Sequence, residues 1–103
     1  MKTQPLKGMR DLLPEEQTLR DHIQSEILAT YRAAGFQRIS TPILEDLENL
    51  DKSDGGDNLN LIFKVLKRGD KLAAALAAGD ESKLADMGLR YDLTLPLSRY
   101  YAA

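Results

Sequence analysis

The sequence predicts an α+β fold in which a long N-terminal helix packs on a mostly antiparallel sheet. Three observations carry that reading. Residues 14–34, "PEEQTLRDHIQSEILATYRAA", set Leu19, Ile23, Ile27, Tyr31 and Ala34 at spacings of four and three, one stripe of a helix. Three runs with extended character follow, at 36–44, 59–67 and 89–93. The stretches between those runs are too short for repeated crossover helices, so the strands pair largely antiparallel with helix against one face.

Each element has its own signals. Pro14 suits the first position of the long helix, Glu15 and Glu16 suit its positive N-terminal end, and Gly35 supplies a left-handed stop. In "FQRISTPIL", 36–44, Phe36, Ile39, Ser40 and Thr41 favour extended chain, and Pro42 keeps Thr41 out of the helical region. A proline in a strand places it at an edge or an end, because it donates no ladder hydrogen bond. "LEDLENL", 44–50, adds a short helical turn, and "DKSDGGDN", 51–58, is a loop by composition. "LNLIFKVLK", 59–67, reads as a strand closed by the turn "RGD". The alanine-rich 70–88 reads as one or two short helices broken near Gly79. "LRYDL", 89–93, is a short strand, and "PLSRYYAA" starts another helix.

Bulk composition narrows the function classes. The 103 residues are 43% hydrophobic and 29% charged, with a net charge of −2 and no cysteine. One domain is the economical reading. No overall basic field announces nucleic acid, and no disulfide framework or thiolate site exists. The N-terminal "MKTQPLKGMRDLLPEE" lacks an apolar signal core, and no run approaches membrane-spanning length, so the expected location is cytoplasmic, with no membrane partner.

Several candidate sites fail on spacing. Counted from Asp51, the loop offers Gly56 at the sixth position of a calcium loop, but Ile62 stands where a bidentate Glu is required. His22 is the only histidine and has no spaced His or Cys partner, so no metal site is assigned. The glycines do not form a phosphate-binding fingerprint. Lys64, Lys67, Arg68 and Lys71 are locally basic, a pattern that suits either phosphate contact or an ordinary solvated face. "RYDLT" leaves two readings open. In a strand, Arg90 and Asp92 share a face and Thr94 follows at the exit, a carboxylate and a hydroxyl able to accept from an ammonium group. Alternatively, Thr94 caps a helix that starts near Leu95 or Pro96, and Asp92 pairs with Arg90 or Arg99.

Four stretches in series, "KGMRDLLPEE" (7–16), "GFQRISTPILEDLENL" (35–50), "NLIFKVLKRGD" (60–70) and "LRYDLTLPLSRYYA" (89–102), resemble the N-terminal part of the histidyl-tRNA synthetase family of class II aminoacyl-tRNA synthetases. The resemblance covers nearly the whole chain apart from the alanine-rich insertion. It implies that residues 1–103 are part of a class II catalytic domain, with motif 1 at about 14–45 and the segment ahead of motif 2 at 89–102. In that family motif 1 forms much of a homodimer interface, which points to Phe36 and Pro42. The family's acid-x-Thr pair, which holds the α-amino group of histidine, corresponds to Asp92 and Thr94. Some members carry Pro and Gly where this chain has Tyr91 and Leu93.

The resemblance further implies histidine activation with ATP and magnesium, then transfer to tRNA(His). The family's ATP-binding arginines, motif 3 and anticodon-binding domain correspond to nothing within residues 1–103. No catalytic residue and no ATP or metal ligand is therefore assigned here, and the isolated chain is expected to be inactive. Two other readings share the resemblance: the synthetase-like regulatory subunit of ATP phosphoribosyltransferase, and a non-catalytic dimerisation module. The regulatory subunit usually reads "RPD-T" at this stretch, further from "RYDLTLPLSRYYA" than the synthetases are.

Overall fold

The computed structural model describes residues 1–52 and 61–103, with the side chain of Lys52 also outside the description. The chain forms two compact units, Met1–Ile39 and Ser40–Ala103. The first is built on helix α1, Pro14–Ala33. Its proline start and its stop at Gly35, which sits at φ +93, follow the sequence reading to within one residue. Arg10 pairs with Glu16 at 2.6 Å across the helix entry. After the stop, the Phe36 amide donates to Tyr31 O at 3.1 Å, and the two rings meet edge to face with centroids 5.4 Å apart. The stripe Leu19, Ile23, Ile27 and Tyr31 is exposed.

The second unit holds strands β1 (Leu44–Asp46), β2 (Lys64–Leu66) and β3 (Ala85–Leu89), and helices α2 (Leu47–Lys52), α3 (Asp70–Ala78) and α4 (Thr94–Ala102). The sheet order is β1-β3-β2 and both pairings are antiparallel, so the α+β fold class holds. β3 is central, with Gly88 opposite Glu45 on one side and Lys64 on the other. Over Gly88 lie the buried Leu50 of α2 and Ile62. Pro96 is fully buried and Ala75 of α3 is buried nearly as completely, which completes a small core.

Three strand expectations shift. The run 36–44 is not a strand; only Leu44 joins β1. Pro42 has no N–H for a ladder, and the carbonyls of Thr41, Pro42 and Ile43 accept instead from Arg90. Of 59–67, residues 59 and 60 lie outside the described residues, and the strand is confined to 64–66. The expected strand 89–93 is mostly a turn: β3 starts earlier, at Ala85, and ends at Leu89. The loop 51–58, and with it the calcium-loop test, lies outside the described residues apart from the end of α2.

Helix α3 ends at Gly79, at φ +65, and the chain passes through a 3-10 turn, Glu81–Lys83, into β3. Asp80 caps that turn: its carboxylate accepts from the Ser82 hydroxyl at 2.7 Å and the Ser82 amide at 3.0 Å. Those two bonds, the hydroxyl first, hold the Asp80 pKa below its ordinary value. A lowered carboxylate pKa stabilises the cap above the unfolded value, and the stabilisation is lost as pH falls through the lowered folded value. Exchange of the Ser82 amide, corrected for intrinsic pH dependence, is expected to lose its protection only below the usual carboxylate range; Asp80→Asn should flatten that dependence.

Candidate functional site

The site lies where β3 gives way to α4. Arg90 leaves the sheet with its amide donating to Ile43 O at 2.9 Å. Its guanidinium turns toward the same segment, Nη1 donating to Thr41 O and Thr41 Oγ1 at 3.0 Å each and to Pro42 O at 3.2 Å. A planar, permanently charged donor suits three oxygens clustered on two residues.

The next residues make a tight turn. Asp92 Oδ1 accepts from the Thr94 amide at 2.9 Å, and Thr94 is the first residue of α4. This inverts the capping expectation: Asp92, not Thr94, satisfies the first helical N–H, because the helix starts at Thr94 rather than near Leu95 or Pro96. The carboxylate thereby sits at the positive end of α4, which favours its charge. Asp92 is not paired with Arg90 or Arg99. Arg99 reaches instead to Glu45, its Nε lying 3.2 and 3.1 Å from the two carboxylate oxygens. Glu45 is only 6% exposed, a charge that burial would penalise heavily without its partner.

Asp92 and Thr94 are thus one unit, a carboxylate and a hydroxyl two residues apart on an exposed turn. With Oδ1 engaged by the backbone, Oδ2 and the Thr94 hydroxyl remain the atoms that suit an incoming ammonium group. Phe36 is 64% exposed, and Pro42 is exposed with its carbonyl on Arg90.

Other sequence candidates fall elsewhere. His22 is on α1 and exposed. Among the described residues no group of three His, Cys, Asp or Glu is arranged to hold a metal ion. Lys67, Arg68 and Lys71 line a groove of about 600 Å³, but Asp46 and Asp86 share it, so its charge is mixed. Asp92 and Thr94 do not line that groove. No described helix is long and apolar enough to cross a membrane.

Sequence reasoning missed Glu45. Its one signal was an acid directly after the apolar pair Ile43 and Leu44 in "PILED", at a strand position where alternation allowed either face.

The family model described as histidyl-tRNA synthetase matches residues 8–103. The chain is 48% identical to a histidine–tRNA ligase of Leifsonia xyli over 102 residues, 96% of this chain and 24% of that protein. It is 42% identical to a probable histidine–tRNA ligase of Tropheryma whipplei, covering 98% of this chain and 23% of that protein. A histidine–tRNA ligase of Porphyromonas gingivalis is 41% identical over 91% of this chain and 22% of its own length. The chain therefore spans about a quarter of the length of these relatives.

Proposed function

Because the chain belongs to the histidyl-tRNA synthetase family, we propose that it supplies the amino-group end of a histidine site and a homodimer surface to a histidine–tRNA ligase. The observation that carries the reading is the Asp92–Thr94 unit. One carboxylate oxygen is fixed by the Thr94 amide, which leaves the other, with the hydroxyl, to accept from the α-ammonium of histidine. Fixing the acceptor before the ligand arrives lowers the ordering cost of binding.

In this reading Asp92 and Thr94 orient histidine so that its carboxylate faces the α-phosphate of ATP, and transfer to tRNA(His) follows. ATP, with magnesium, would supply the adenylyl group: the carboxylate oxygen bonds to the α-phosphorus as the α–β phosphoanhydride bond breaks and pyrophosphate leaves; no residue of this chain is assigned to ATP or magnesium. The chain's own contribution is positional. The dimer surface is proposed at the motif 1 residues Phe36 and Pro42; the stripe of α1, in the same unit as Phe36, is by itself an exposed apolar row of the kind a second copy would cover. The expected compartment is the cytoplasm, where tRNA charging takes place.

Histidine-dependent ATP–pyrophosphate exchange tests the division of labour. The chain alone is expected to show none. A chimera of the Leifsonia xyli ligase with this chain in place of the matching segment is expected to catalyse exchange. Robust exchange by the chain alone would refute the shared site, and a folded, dimeric chimera without exchange would refute the assignment to a histidine ligase.

A further inference from the structure

The turn that carries Asp92 and Thr94 is open to solvent at Leu93, which is 62% exposed. An arginine anchor stands on either side of it. Before the turn, Arg90 donates to Thr41 O, Thr41 Oγ1 and Pro42 O through one nitrogen and to Ile43 O through its amide. After the turn, on the second turn of α4, Arg99 binds the buried carboxylate of Glu45. Both anchors land on one short stretch, residues 41–45, so the turn is held by its two ends against a single support. Pro96, between Thr94 and Arg99, is fully buried.

We propose that Arg90 and the Arg99–Glu45 pair are positioning residues for the Asp92–Thr94 unit, acting through the turn and not by touching the ligand. The ligand-side consequence rests on the amino-group reading above; the mechanical part does not. A displaced helix start loosens the bond between the Thr94 amide and Asp92 Oδ1, and the free carboxylate oxygen then samples several directions. Small misplacements of this kind cost binding and rate well beyond the bond that was lost.

Hydrogen exchange of the 103-residue chain, followed amide by amide, tests this. The Thr94 amide reports the turn; the Leu89 and Lys67 amides, bonded to Phe63 O and Leu84 O at 2.8 Å each, report the sheet. In Arg99→Met, Glu45→Gln and Arg90→Met, Thr94 exchange should quicken by about tenfold or more while the sheet amides change by less than about twofold, the pattern of local opening. Arg99→Lys, which retains a cation for Glu45, should restore most of the protection. Thr94 protection unchanged in variants with an intact sheet would overturn the proposal. So would loss of all three amides in every variant including Arg99→Lys, because the anchors would then hold the whole unit and not the turn.

A histidine titration of the Leifsonia xyli chimera carrying the same substitutions is the second arm. Weakened binding in proportion to Thr94 exposure extends the positioning role to the ligand, and unchanged binding despite a loosened turn removes that extension. If a chimera that catalyses exchange shows no loss of histidine affinity on Asp92→Ala while Thr94 responds as expected in the chain, the amino-group reading fails and the positioning role stands.

Discussion

A Gly88→Val protein is expected to lose about 3 kcal/mol or more of stability, the upper end of overpacking costs. Gly88 occupies the middle of the central strand, and an added Cβ would stand 3.0 Å from both Ile62 Cγ2 and Leu50 Cδ1 and 3.3 Å from Phe63 O. The two side chains are core residues with nowhere to retreat, Leu50 being 1% exposed. Phe63 O is fixed too, since it accepts from the Leu89 amide at 2.8 Å. Gly88→Ala adds only the first carbon and should cost about 1–3 kcal/mol. Small domains commonly have only about 5–15 kcal/mol of stability, so the valine form should give up a large share of the margin of the Ser40–Ala103 unit and unfold at a much lower urea concentration. Urea unfolding followed on β3 amides checks both. An alanine protein with the wild-type midpoint would show that Leu50 and Ile62 yield freely, contrary to the packing argument.

The elements that declare themselves in the sequence are those whose signals are local. α1 begins at Pro14 and stops at Gly35 because a fixed φ and a left-handed stop are properties of single residues, independent of what packs nearby. The break at Gly79 and the turn at Gly69 were legible for the same reason. Strand limits were not, because pairing is decided across the sheet. Residues 36–43 have the composition of a strand, yet carbonyls that would enter a ladder are taken by Arg90, which lies 47 or more positions later. Conversely, "ADMGL" has little strand propensity, and Gly88 is tolerated there because two side chains from other elements need its space.

The site was half legible. The acid-x-Thr pair stood out as residue types, but the alternation that placed Arg90 and Asp92 on one strand face fails, since the strand has ended by then. The partners chosen for Asp92 were wrong for a physical reason. A short Asp side chain beside a helix start meets an unsatisfied amide before it can reach a guanidinium, and both nearby arginines are engaged by residues much earlier in the chain, Thr41 and Glu45. Glu45 was invisible because a buried acid is recognised only once its cation is in place.

Asp92 performs two tasks that separate substitutions should divide. Asp92→Asn keeps a side-chain oxygen for the Thr94 amide and removes the charge; Asp92→Ala removes both. If the charge serves the ammonium of histidine, both variants should bind L-histidine about 10–100-fold more weakly, in keeping with about 1.5–3 kcal/mol for a hydrogen bond to a charged group. Only Asp92→Ala should also speed Thr94 amide exchange, and it should lower stability more than Asp92→Asn does, by about 0.5–2 kcal/mol for a lost cap. The ligand supplies the matching control. Imidazolepropionate, which is histidine without its amino group, should bind the wild-type and Asp92→Asn proteins alike, because the group that distinguishes them is absent. Thr94→Val, which keeps the amide and loses the hydroxyl, should weaken histidine binding with no change in the cap. If wild-type binding is equally strong for histidine and imidazolepropionate, Asp92 is a helix cap and nothing more. A preference for histidine that disappears in Asp92→Asn, with the cap intact, assigns the charge to the ligand and the oxygen to the fold.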